Sequence, residues 1–126
     1  MQSHWAKYLC VLAAGFLENA LVELYSDFCR RAASPPVSNF SATALGRIQN
    51  PKSQAFLKVS GAFNKSWATA LETFIEDDGR KEAINSIMAN RHLVAHGRDS
   101  GITVARVNEY LGKAIDVLEF VEQQCK

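Results

Sequence analysis

Cysteine is scarce in this 126-residue chain, and its placement is uninformative for chemistry. Cys10, Cys29 and Cys125 are odd in number, have no close spacing and fall in apolar helical contexts. That pattern excludes a disulfide framework and a thiolate metal site, and points to reduced, structural thiols. Glycines are few and scattered, so no strand-loop-helix that cradles a nucleotide phosphate can be built from them. No stretch alternates apolar and polar residues as a strand would, and there is no repeat or low-complexity tract. The longest uninterrupted apolar run, Tyr8 to Leu17, is about half of the ~20 residues a membrane span needs. Glu18, Asn19 and Glu23 then continue the same helical pattern without a small-residue cleavage site. A chain with no membrane span and no secretory signal, resident in the cytoplasm, is therefore expected.

What is present is ordinary globular material: 48% hydrophobic and 21% charged residues. The length suits one domain, residues 1–126, with a proper core and no room for a second. The net charge of +1 hides an uneven distribution. The segments from Asp27 to Lys52 and from Arg91 to Arg106 are net basic, whereas Glu72 to Glu82 and Glu109 to Glu122 are net acidic. A localised basic face can hold a phosphate backbone without a basic pI, although a mixed solvated surface produces the same count.

Helical periodicity accounts for the whole chain. From about Trp5 to Arg31 there are two adjoining apolar stripes: Trp5, Leu9, Leu12, Phe16, Ala20, Leu24 and Phe28, and beside them Cys10, Ala13, Leu17, Leu21, Tyr25 and Cys29. So wide an apolar surface means a helix central to a bundle or partly covered by a second subunit. Glu18 and Asn19 interrupt it, either as solvent-facing residues or as polar groups aimed at a site shared with another helix. Pro35 and Pro36 end this helix, and a short one follows from about Ser38 to Arg47 with Phe40, Ala44 and Ile48 on one side. Asn50-Pro51 reads as an N-cap and first helical position, opening a third helix to about Ala62 that buries Phe56, Val59 and Phe63. Asn64 to Ser66 cap a fourth, which carries Trp67, Ala70, Leu71, Phe74 and Ile75 inward. Its end, Glu76-Asp77-Asp78, sets acids against an unfavourable dipole unless Asp77 or Asp78 caps the next helix. That fifth helix spans about Gly79 to His96 and stops at Gly97. The last starts near Thr103, with Val104, Val107, Leu111, Ala114, Leu118, Val121 and Cys125 as its packing seam.

The fifth helix carries the chemistry. Its buried stripe runs Ile84, Ile87, Met88, Arg91 and Ala95, so Arg91 continues an apolar face and needs an anion. The anion can be a carboxylate of the first helix, such as Glu18 or Glu23, a group from a second subunit, or a bound phosphate matched by the guanidinium fork. His92 and His96, four apart, share a neighbouring face. A metal would need a third ligand there; only Asp99 is at hand and Arg91 opposes a cation, so no metal or cofactor is expected. An imidazole, which titrates near neutrality, beside a fixed guanidinium is the minimum set for metal-free phosphodiester transfer, with one group moving protons and the other stabilising charge. A single helix, however, does not readily supply both an acid and a base.

Arg91, the polar residue at 92, three further positions and His96 resemble the R-[N/H/D]-x-x-x-H motif of the HEPN superfamily, small all-helical domains many of which are metal-independent endoribonucleases. Glu23-Leu24-Tyr25, Ala33 to Val37, Gln49-Asn50-Pro51, Ala89-Asn90-Arg91 and His96-Gly97-Arg98 are similar to the stand-alone RiboL-PSP-HEPN group. The resemblance implies an all-α, HEPN-like fold: a four-helix up-and-down bundle core with one or two extra short helices. It implies a homodimer whose two motifs face each other and form one composite RNA-cleaving site, acting by 2′-hydroxyl attack. Arg91 and His96 would be catalytic, His92 and Asn90 supporting, and Arg98 substrate-binding. It further implies a toxin or an antiviral defence component, held in check by an antitoxin or inhibitor protein. Superfamily members that keep the fold and bind nucleotides, RNA or partners without cleavage leave a regulatory module as the alternative.

Overall fold

The computed structural model describes residues 2–126, and side chains from residue 4 onward. Six helices account for it: α1 (Gln2–Ala32), α2 (Pro35–Leu45), α3 (Ser53–Phe63), α4 (Lys65–Glu76), α5 (Arg80–Ala95) and α6 (Val104–Gln124). There is no strand among the described residues. The long helices α1, α5 and α6 pack against one another, α2 lies along α1, and the α3–α4 pair closes onto α5 and α6. The fold is all-α, with α2 and α3 as the short additions to the bundle.

One hydrophobic cluster draws on every helix. It runs through Cys10, Leu17, Leu21 and Tyr25 of α1, Leu45, Phe56, Leu71 and Ile75, then Ile84, Ile87 and Met88 of α5 and Val107, Val117 and Val121 of α6. Of the two apolar stripes on α1, the one through Cys10, Leu17 and Tyr25 is the core stripe. The other remains open at its N-terminal end, where Trp5, Leu12 and Phe16, with Tyr8 beside them, keep 50–58% of their surface in solvent. The seam of α6 packs largely as its spacing predicts, with Val104 and Leu111 only half-buried.

Several local expectations are corrected. Pro35 and Pro36 open α2 instead of preceding it, because proline tolerates the first helical turn, where its missing N–H would have no partner. Phe40 and Ala44 of α2 face solvent, since the helix turns Ser38 and Leu45 inward. The N-cap of α3 is Lys52, not Asn50; Asn50 instead adopts a left-handed conformation with φ of 48°. Ala70 and Ala95 are exposed, so the buried stripe of α5 ends at Met88 and Arg91. Neither Asp77 nor Asp78 caps α5, whose N-cap is Gly79. Basic groups relieve that acidic turn: Arg80 donates to the Phe74 carbonyl at 3.1 Å, and Lys113 to the Asp78 carbonyl at 2.6 Å. Asn64 does cap α4, its Oδ1 accepting from the Ser66 N–H at 2.9 Å. Finally, His4–Ala32 as a continuous helix is long and apolar enough to cross a membrane, because its scattered polar residues do not offset the apolar majority. It is also the helix whose core stripe the rest of the bundle covers.

All three cysteines are free and buried. Burial pushes the Cys10 and Cys125 thiols up, and raises the phenol of Tyr25, stacked on Phe63 at 5.0 Å, to about 12. Each of these groups is held neutral by folding, so its stabilisation is complete below its unfolded pKa and is lost as pH rises through the folded value. The contribution of these three groups should therefore stay level up to about pH 9 and fall between there and pH 12, Tyr25 accounting for about 2–3 kcal/mol. Urea titrations at stepped pH check this, and Tyr25→Phe should flatten the fall above pH 10.

Candidate nucleic-acid site

Arg91 leaves α5 where that helix crosses α1. Beneath it the Cys10 thiol donates to the Ile87 carbonyl at 3.5 Å, and the Arg91 charge partly offsets the upward push of burial on that thiol. The anion that meets the guanidinium is Glu18, with Arg91 Nη1 3.4 Å from Glu18 Oε2. Glu23 instead pairs with Arg30 at the exposed surface, at 3.1 Å. The side chains of Arg91 and Glu18 keep 30% and 19% of their surface exposed, so the pair is sheltered but not sealed. A single long contact uses one of the five guanidinium donors, and none of the Arg91 nitrogens is a buried, unpartnered atom. The other donors of the fork carry no hydrogen bond in the structure and are not sealed from solvent.

Glu18 is itself held in place. Its Oε1 accepts the Asn50 backbone N–H at 2.7 Å, and the Asn50 side chain donates to the Met88 carbonyl at 3.4 Å. A second tie from α5 fixes the same connection, Asn85 Oδ1 accepting from the Ser53 N–H at 2.8 Å. Asn50 is not the helix start that Asn50-Pro51 suggests. The signal for its actual role is that asparagine tolerates positive φ better than other side chains, so that here it turns its N–H toward a carboxylate.

The C-terminus of α5 is closed by Gly97 in the left-handed region, with φ of 68°. The Gly97 N–H donates to Val94 O at 3.1 Å and the Arg98 N–H to Leu93 O at 2.8 Å, the paired bonds of a Schellman ending. This ending places His96 as the cap residue and turns the chain away after it. The rings of His92 and His96 meet edge to face, 4.3 Å between centroids, and both residues are exposed. Asn90 spends its side-chain amide on the Ser86 carbonyl at 2.7 Å, and Arg98 is exposed beyond the cap. The structure thus places Asn90, Arg91 and His92 on the last two turns of α5 and His96 at its cap, with Arg91 against Glu18 and His92 against His96. Among the described residues no three His, Cys, Asp or Glu side chains converge as a metal site would require.

A model of the RiboL-PSP-HEPN family matches residues 2–126. The chain belongs to the RiboL-PSP-HEPN family. For this HEPN domain, membership points to a ribonuclease or a nucleotide-binding module. No curated protein and no solved structure matches it.

The pairing of Arg91 with Glu18 is open to a direct check on stability. A double-mutant cycle with Glu18→Gln and Arg91→Gln, read by urea denaturation, should give a coupling of about 1 kcal/mol. That is above the median of exposed pairs and well below a sealed one. A coupling indistinguishable from zero would mean that the contact contributes nothing.

Proposed function

We propose that this HEPN domain is a metal-independent endoribonuclease whose site is completed across a homodimer. The observation that carries the reading is the partly exposed guanidinium of Arg91. It is anchored by one contact to Glu18 and open on its remaining donors, on the same helix end as the solvent-accessible imidazole of His96. A phosphodiester entering there would take the free side of the guanidinium fork. His96 of one subunit would remove the proton of the 2′-hydroxyl. The 2′-oxygen would attack phosphorus, and the bond to the 5′-oxygen would break. His96 of the partner subunit would return a proton to that oxygen, leaving a 2′,3′-cyclic phosphate and a 5′-hydroxyl. Arg91 would stabilise the charge that builds on the non-bridging oxygens. His92, in edge contact with His96, would orient it; Asn90 would stiffen the turn, and Arg98 would hold the RNA backbone.

Support for a second copy comes from the open stripe of α1. Trp5, Tyr8, Leu12 and Phe16 form an apolar patch that turns polar at Asn19 and Glu23, adjoining Glu18 on the same helix. The three half-exposed aromatics alone offer about 250–400 Å², a core for the ~800 Å² per partner that a stable interface buries. Residence in the cytoplasm, a role as toxin or antiviral defence component, and restraint by an antitoxin or other inhibitor protein belong to the same reading.

Total RNA incubated with the protein in chelator tests it. Wild type should cleave, and Arg91→Ala and His96→Ala should each lose at least about a hundredfold in rate. Leu12→Glu with Phe16→Glu should convert a dimer to a monomer in sedimentation equilibrium and remove activity. Cleavage that needs a divalent ion, or that survives both alanine substitutions, would overturn the mechanism. Salt-dependent RNA binding with no cleavage would instead mark a regulatory module.

A further inference from the structure

A cavity of about 380 Å³ opens directly beside the Arg91 pair, between α1 and the connection from α2 to α3. Its walls are Glu18, Asn19, Val22 and Glu23 on one side and Gly46, Ile48 and Gln49 on the other. The two apolar side chains, Val22 and Ile48, can take the flat face of a planar ring. The polar groups are two carboxylates, acceptors alone when ionised, and the amides of Asn19 and Gln49, each with an acceptor oxygen and a donor NH2. A phosphate is repelled by such a rim, whereas a neutral ring with N–H donors along its edge is matched by it. The far wall is fixed in advance, because the Asn50 N–H is bonded to Glu18, the Asn50 amide to the Met88 carbonyl, and the Ser53 N–H to Asn85. Glu18 belongs both to this cavity and to the Arg91 pair, so the cavity and the guanidinium share one carboxylate.

We propose that this cavity receives the nucleobase flanking the scissile phosphate and selects bases that carry an exocyclic amine over uracil. The exocyclic amine donates to a carboxylate of Glu18 or Glu23. Beside it the guanine ring N–H donates as well, whereas the ring nitrogen of adenine or cytosine accepts from an amide N–H of Asn19 or Gln49. The single ring N–H of uracil is flanked by two carbonyls that the carboxylates repel. Glu23 keeps Oε2 for this purpose, since its contact with Arg30 uses Oε1. The role in cleavage rests on the ribonuclease reading above, but base binding is measurable without it.

Two measurements separate the claims. In the first, the side-chain amide signals of Asn19 and Gln49 are followed by NMR during titration with the 3′-monophosphates of adenosine, cytidine, guanosine and uridine. Both signals should move with at least one amine-bearing base and tenfold less with uridine at equal concentration. Signals that stay put, or that respond equally to uridine, overturn the proposal. In the second, cut ends are sequenced for wild type, Asn19→Ala and Gln49→Ala. A bias of about tenfold against uracil beside the cut, counted as a share of all cuts made by each protein, should shrink to within twofold in the variants; an unchanged bias overturns the proposal. A wild-type protein that does not cleave removes the ribonuclease reading, and the amide signals still decide whether the cavity binds bases.

Discussion

A guanidinium on the apolar face of a helix has to be met by an anion, and much of this molecule's organisation around α5 follows from how Arg91 is met. Its predecessors on the stripe, Ile84, Ile87 and Met88, are fully buried in the core, so Arg91 sits at the point where that stripe reaches the surface. Glu18 neutralises it from α1. Glu18 in turn is positioned by the backbone of Asn50, and Asn50 is secured to the Met88 carbonyl. The chain of contacts links α1, the connection to α3, and α5 around one charge. Removing any member strips a sheltered polar group of its partner, which costs more than the bond itself contributes.

The same chain of contacts is compatible with the proposed phosphate site at Arg91. A bidentate, sealed pair would have consumed the guanidinium. A single contact at 3.4 Å, with 30% of the arginine side chain still exposed, neutralises the charge in the resting protein and leaves donors for a phosphate. His96 is delivered to the surface by the Gly97 turn, and in the proposed reaction it is the one proton-transfer group of each chain. Acid and base are both needed for transesterification, so each chain is read as half of a site, and the uncovered aromatic stripe on α1 is the natural place for the other half to dock.

Much of this was legible in the sequence. The apolar spacing located α1, α5 and α6, Gly97 marked the end of α5, and the place of Arg91 on a buried stripe announced that it needed an anion. Periodicity could not say which candidate acid would answer, because that depends on where α5 crosses α1; Glu18 lies at the crossing and Glu23 pairs with Arg30 instead. Nor could it say which of two apolar stripes on α1 would be covered, since both satisfy the same spacing and only the packing of the other helices separates them. Asn50-Pro51 and Pro35-Pro36 misled for a local reason: proline is accepted both in loops and in a first helical turn, and asparagine serves both as a cap and as a left-handed hinge. Asn19 stood out only as an interruption of the apolar face and Gln49 only as a neighbour of Asn50-Pro51; that they line one cavity was not legible, because the cavity is made by the approach of a loop to a helix.

The central claim is that Arg91 and His96 support attack by the 2′-hydroxyl of RNA without a metal. End-group analysis of RNA cut by the purified protein in chelator tests it most directly. The account predicts 2′,3′-cyclic phosphate and 5′-hydroxyl ends on every fragment. Ends bearing 5′-phosphate and 3′-hydroxyl, as left by direct attack of water, would contradict it.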